Sequence, residues 1–177
     1  MAEIIKRLPG YEFDIITAKL DKKLKDQEHY DNVHIYRLGA GSAVDKYLLP
    51  LRAVSLAKKL HRQNSYQLSW AIMASYGAVA ASLFSSFNKR VPFLLSVYEG
   101  DLTAKMTSRG RLLSPVYKMI FSKAHRWQLI AKMNQQQRAW LENERRVQVV
   151  QFEKDFDLLA KRTKEMFQEL EILSARI

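Results

Sequence analysis

The chain has 177 residues, 47% of them hydrophobic, with a formal net charge of +11 and no cysteine. That length suits one domain with a sizeable core, and the apolar content excludes an intrinsically disordered chain. Disulfides and thiolate metal sites are excluded, while the positive charge points to an anionic partner: nucleic acid, an anionic lipid surface or a phosphorylated ligand.

The amino terminus, Met-Ala-Glu-Ile-Ile-Lys-Arg-Leu-Pro-Gly, has no apolar h-region, and no run of about 18 apolar residues occurs anywhere. A cytoplasmic chain that spans no membrane is the expectation. After the turn Pro9-Gly10, Glu12 to Ala18 reads as a strand, and Val33 to Arg37 as a second, closed by Leu38-Gly39-Ala40-Gly41. Gly39-Ala-Gly41 is a fragment of a phosphate-binding fingerprint, but Val44 stands where a third glycine belongs, so a turn is the better reading. Residues 43–63 predict a helix with apolar positions Leu48, Leu51, Val54, Leu56, Ala57 and Leu60, and Pro50 marks a start or a kink.

Tyr66 to Met73 reads as a strand, followed by a helix of small residues from Tyr76 to Phe87, where Gly77, Ala78, Ala80 and Ala81 permit close packing on a sheet. Ser75-Tyr76-Gly77 lies at this strand-to-helix junction. It could present backbone N–H groups to a phosphate, or Ser75 could be a plain N-cap. Pro92 to Val97 is a buried strand that ends in Glu99-Gly100-Asp101. Loops at the carboxyl ends of strands form the ligand crevice of an open α/β sheet, so these carboxylates could hold a polar ligand; a solvated strand exit is the alternative.

Basic residues dominate from Lys89 to Arg126, where only Glu99 and Asp101 are acidic. Within that stretch residues 112–123 predict a helix with an apolar stripe of Leu112, Leu113, Val116, Tyr117, Ile120 and Phe121. Arg109, Arg111, Lys118 and Lys123 around it suit either contact with anionic headgroups or a solvated flank of a core helix. Trp127 to Ala131 and Val147 to Val150 read as strands, Asn134 to Glu144 as a helix between them, and Leu158 to Ala175 as a last charged helix that docks by default.

Strands alternating with helices predict βαβ units. The fold class is therefore α/β: a Rossmann-like, doubly wound and mostly parallel sheet with helices on both faces, in one domain over 1–177. The four histidines have no metal-ligand spacing, so no metal is expected, and no nucleophile elbow is present. Nucleic acid is the weakest of the anionic partners, because Trp70, Phe93 and Trp127 fall on predicted strands and do not interleave with the basic residues.

Five segments carry a family resemblance: Asp14 to Asp21, Val33 to Gly39, Asp45-Lys46-Tyr47, Trp70 to Gly77, and Pro92 to Asp101. Together they resemble the amino-terminal, acceptor-side domain of bacterial GT-B glycosyltransferases of the retaining family-four type. The likeness weakens toward the end. Gln151, Phe152, Glu153 and Lys154 replace the family's Pro-Asn-Gly-Val turn, although Asp155 keeps the final acid, and Ile130-Ala131-Lys132 replaces its hydrophobic-Ser strand end.

The resemblance implies transfer of a sugar from a nucleotide sugar to a saccharide or lipid-linked acceptor, in a cleft between two domains. The nucleotide sugar would be a donor substrate, with no permanently bound cofactor. Glu99 and Asp101 would be acceptor-side residues, with Gly100 allowing close approach, and Ser75, Tyr76 and Gly77 are the other candidate substrate-binding residues; no catalytic residue is assigned. The family's first central strand, its glycine-rich loop and its second domain have no counterpart here, since eleven residues precede Glu12. A second domain or subunit is thus an expected partner, and without it the chain would be inactive alone. Without the central strand two strand edges would lie unpaired, so either the sheet closes in a different order or a partner supplies a strand. The alternative function is a non-catalytic interaction module, or one that sits peripherally on the inner face of the membrane.

Overall fold

The computed structural model describes residues 2–98, 114–131, 147–151 and 156–175. In chain order these form α1 (Ala2–Ile5), β1 (Phe13–Ala18), β2 (Gln27–Tyr30), β3 (Val33–Leu38), α2 (Asp45–Asn64), β4 (Ser69–Ile72), α3 (Tyr76–Phe87), β5 (Phe93–Tyr98), α4 (Ser114–Lys123), β6 (Arg126–Ala131), β7 (Val147–Gln151) and α5 (Phe156–Ala175). The expected helix at 134–144 lies outside the described residues. The α/β architecture, with parallel strands and intervening helices, is the expected one.

The strands form two sheets. One has the order β1-β3-β2 and the other β4-β5-β6-β7. All pairings are parallel except β2 with β3, where a polar hairpin places Gln27 opposite Tyr36 and Tyr30 opposite Val33. The sequence reading missed β2, because Gln-Glu-His-Tyr carries no apolar alternation; the half-buried ion pair of Arg37 with Glu28 helps hold it instead.

Strand β5 shows why the second sheet is covered on both faces. Its side chains alternate, as a pleated strand requires. Phe93, Leu95 and Val97 join Ala71, Ala78, Ile120, Phe121 and Ala124 in one core cluster, on the side of α3 and α4. Leu94 joins Ile4, Leu8, Leu159, Met166, Phe167 and Leu170 in another, on the side of α1 and α5. The last helix therefore docks through Leu159, Met166, Phe167 and Leu170, while Ile172 stays exposed. A buried polar chain threads the α5 face: the Trp70 indole donates to Ser96 Oγ (2.8 Å), Ser96 Oγ donates to Gln128 Oε1 (2.9 Å), and Gln128 Nε2 donates to Thr163 Oγ1 (2.9 Å). Each member is satisfied, as buried polar groups must be.

Helix α2 begins at Asp45 and continues through Pro50, so the proline does not mark its start. It packs on β1 and α3 through Leu49, Ala53, Ala18 and Ala80. The expected strand from Tyr66 to Met73 is shorter, Ser69–Ile72, because Tyr66 is turned to Asp14 instead: its hydroxyl and the Asn64 amide both donate to that carboxylate. Burial, and then the hydrogen bond to Asp14, push the Tyr66 phenol far above its ordinary pKa.

Candidate functional site

The carboxyl ends of β1, β3 and β4 open onto one edge of the molecule. In an α/β sheet that edge is where ligands bind. The loop after β3 is Gly39-Ala-Gly-Ser-Ala-Val44, and its shape depends on one side chain. The Asp45 carboxylate, buried at the first residue of α2, accepts the Ala40 and Ser42 backbone N–H groups (2.9 Å each) and the Ser42 hydroxyl (3.2 Å). Arg52 Nη1, two turns along the helix, donates to its other oxygen at 3.0 Å. The Ser42 N–H foremost, then the Ala40 N–H, the Ser42 hydroxyl and Arg52, hold the Asp45 pKa below its ordinary value against the opposing effect of burial.

Gly39 (φ +128°) and Gly41 (φ +87°) make the loop possible. A Cβ on Gly39 would stand 2.2 Å from Asp45 Cγ, and one on Gly41 would stand 2.4 Å from the Lys22 backbone nitrogen. The two glycines thus serve a turn, as the sequence suggested. They also bring the basic loop after β1, with exposed Lys22, Lys23 and Lys25, against the loop after β3.

Ser75, Tyr76 and Gly77 sit where β4 passes into α3. Met73 adopts φ +66°, its N–H bonds Ser96 O (2.7 Å), and Ser75 N–H bonds Met73 O (2.9 Å). A left-handed conformation at a non-glycine residue costs about 1–2 kcal/mol, and such strain tends to collect at functional sites. Ser75 is the N-cap residue of α3, yet its hydroxyl makes no capping hydrogen bond. Ser75 is thus a cap by position and backbone conformation without a side-chain cap bond, and this exposed residue stands at the head of α3.

Tyr76 meets Tyr47 edge to face, with ring centroids 5.1 Å apart. That contact joins the start of α3 to the start of α2 and makes a single mouth of the two loops. Around it Val44, Tyr47, Leu48, Leu51, Met73 and Tyr76 are all exposed. An open cleft of about 600 Å³ lies on the outer flank of the same loop, lined by Leu38, Gly39, Ala40, Arg52, Ser55, Leu56 and Lys59. It does not reach Ser75–Gly77.

Glu99, Gly100, Asp101, Arg109 and Arg111 lie outside the described residues. Lys118 and Lys123 are exposed on α4, whose Ile120 and Phe121 face the core. Lys123 ends its helix just before β6 begins, at the amino-terminal edge of the sheet, so the structure does not bring it to the mouth. Asp45, Tyr47 and Met73 were not picked out as site residues by sequence reasoning. A carboxylate immediately after Gly-x-Gly-Ser-x-x is a signal that could have found the first. Among the described residues no group of three or more His, Asp or Glu could hold a metal ion, and no helix is long and apolar enough to cross a membrane.

No protein-family model matches the sequence. No curated protein matches it either. Among solved structures the chain is similar to a sucrose-phosphate synthase from Thermosynechococcus elongatus, with a TM-score of 0.65 and 17% identity, over 96% of this chain and 92% of that one. At that identity the likeness is one of fold. The shared fold is the Rossmann-like α/β fold expected from the sequence.

Proposed function

We propose that the chain is the acceptor-side domain of a glycosyltransferase. It positions a saccharide or lipid-linked acceptor at the Tyr47–Tyr76 mouth, while a second domain or subunit holds the nucleotide sugar. The observation that carries this reading is the mouth itself, formed at the carboxyl edge of parallel strands on a glycosyltransferase-like fold. The uncapped Ser75 hydroxyl and the backbone N–H groups at the start of α3 are donors for sugar oxygens or a phosphate. Glu99 and Asp101 would accept hydrogen bonds from acceptor hydroxyls, with Gly100 allowing close approach. Exposed Tyr47, Leu48 and Leu51 suit an acceptor that carries an apolar chain. The same apolar residues, with Lys22, Lys23, Lys25 and Lys46 beside them, favour membrane-surface binding as the second reading.

Titration of the chain with maltose, with dodecyl maltoside below its micelle concentration and with dodecylphosphocholine separates the readings. Acceptor binding predicts saturable amide shifts at Ala40–Asp45 and Ser75–Gly77, tighter for dodecyl maltoside than for maltose. Ser75→Ala should weaken them about 3–10-fold, the worth of one hydrogen bond, and change stability by less than about 0.5 kcal/mol because no cap is lost. Equal response to the sugar-free lipid would overturn the acceptor reading in favour of the membrane surface.

A further inference from the structure

Helix α2 turns a basic face outward that the mouth does not use. Arg52, Ser55, Leu56 and Lys59 recur at the three- and four-residue spacing that puts side chains on one side of a helix. All four line the cleft of about 600 Å³ beside the loop after β3, with Leu38, Gly39 and Ala40 as the facing wall. That size is in the range of small-molecule sites. The cleft lies apart from Ser75–Gly77, so the inference stands whether or not the mouth binds an acceptor.

The polar groups of this face are unspent. Lys59 and Ser55 are exposed, and among the described residues neither side chain has a hydrogen-bond or ion-pair partner. Ser55 differs in this from the helical Ser82, Ser86, Ser122 and Thr163, whose hydroxyls each donate to a backbone carbonyl three or four residues back. Arg52 gives one guanidinium N–H to Asp45 Oδ1 at 3.0 Å. A guanidinium has five N–H donors, so most of its capacity is left over. Lys58, one residue before Lys59, is engaged elsewhere: its ammonium lies 3.6 Å from the centre of the Phe87 ring.

No carboxylate balances this charge. None of the described residues that line the cleft is acidic. The one acid of α2, Asp45, is buried and occupied by the Ala40 and Ser42 N–H groups. On the β2 side Asp26 is paired with Lys19 (2.6 Å) and Glu28 with Arg37. The cleft is therefore an anion site by its charge and a donor site by its hydrogen bonding.

We propose that this cleft binds a small, soluble phosphomonoester, with the phosphate over Ser55 between Arg52 and Lys59 and the rest of the ligand against Leu38 and Leu56. Arg52 and Lys59 are about 10 Å apart along the helix axis, and Ser55 stands between them, so two long side chains reach one anion from either side. The guanidinium fork and the ammonium supply charge-assisted bonds to a group with three terminal oxygens and about two negative charges. A carboxylate has fewer of both. Leu38 and Leu56 are half-buried, which suits a small ligand lying in the cleft and not a bilayer pressed against it. Because Arg52 also holds Asp45, an occupied cleft is joined through one side chain to the loop that leads to Tyr47 and the mouth.

Amide NMR titrations of the chain with phenyl phosphate, benzoate and phenol, at about 150 mM salt to screen diffuse attraction, test the site. Phenyl phosphate should give saturable shifts centred on Gly39, Ala40, Ser55 and Leu56, with benzoate about fivefold weaker or more and phenol inert. Lys59→Ala should weaken phenyl phosphate about tenfold or more and Ser55→Ala about 3–10-fold, the worth of a charge-assisted and of an ordinary hydrogen bond. Lys59 bonds nothing in the fold, so its variant should keep the wild-type urea midpoint. Lys58→Ala removes the same charge one residue away and should leave the affinity unchanged. Equal losses in the two lysine variants would mean diffuse surface charge and overturn the site. So would the absence of saturable shifts at about 10 mM phenyl phosphate, where a millimolar site is filled, or shifts confined to Ser75–Gly77. Benzoate binding as tightly as phenyl phosphate would overturn the phosphate assignment. Phosphatidic acid vesicles carry the same headgroup chemistry, and shifts with vesicles but not with phenyl phosphate would overturn the assignment to a small molecule.

Discussion

Asp45 governs the loop after β3 because one carboxylate satisfies two backbone N–H groups, a hydroxyl and a guanidinium. Its pKa is lower in the folded chain than in the unfolded one, so the unfolded state binds its proton first as pH falls. The stability it contributes is complete above the ordinary carboxyl value, about pH 4, and is lost as pH drops through the lower folded value. Asp45→Asn should therefore lower the urea midpoint at pH 7 and flatten its fall below pH 4; a variant that keeps the wild-type acid slope would refute this. Gly41→Ala forces a side chain into φ +87° and against the Lys22 backbone, at a cost of more than about 1 kcal/mol. Gly10→Ala, with nothing within 4 Å of the added carbon, is the control and should unfold at the wild-type midpoint. The sequence shows that Gly39 and Gly41 mark a turn. It does not show that a buried aspartate shapes that turn, because the Arg52 and loop contacts arise only when α2 folds back on β3.

At the scale of elements, local pattern was most legible where one period dominates. Tyr76–Phe87 has the predicted helix bounds, and the apolar run after Pro92 became β5. The last helix was legible as a helix from its charges and its Met166, Phe167 and Leu170 stripe. Its aromatic partners were not, since Tyr11, Phe13 and Trp70 lie far from Phe167 in sequence. Phe167 is 2% exposed and edge-on to both Tyr11 and Trp70. Phe167→Ala should cost about 3–5 kcal/mol in chemical denaturation. A loss below about 1 kcal/mol would mean that α5 adds little to the core.

Over the whole molecule, the two sheets differ in how well they are enclosed. The β4–β7 sheet contains β5, buried along Phe93–Val97, whereas β1 is partly exposed through Thr17 and β2 is mostly exposed. Elements with less buried surface open at lower free energy. Under low urea, the ladder amides of β3 should therefore exchange through a lower-energy opening than the ladder amides of β5, and a single common opening energy would contradict this. The alternation of strands and helices, the faces each strand presents and the turn at Gly39–Gly41 were determined by the sequence itself, because periods of 2 and 3.6 residues and glycine's steric freedom act within a few neighbours. The tertiary structure alone decided the pairing of polar β2, the Asp45-ordered loop, the meeting of Tyr47 with Tyr76 and the division of the strands into two sheets. Each of these depends on hydrogen bonds or ring contacts between residues brought together only by the fold, and no local periodicity encodes such distances.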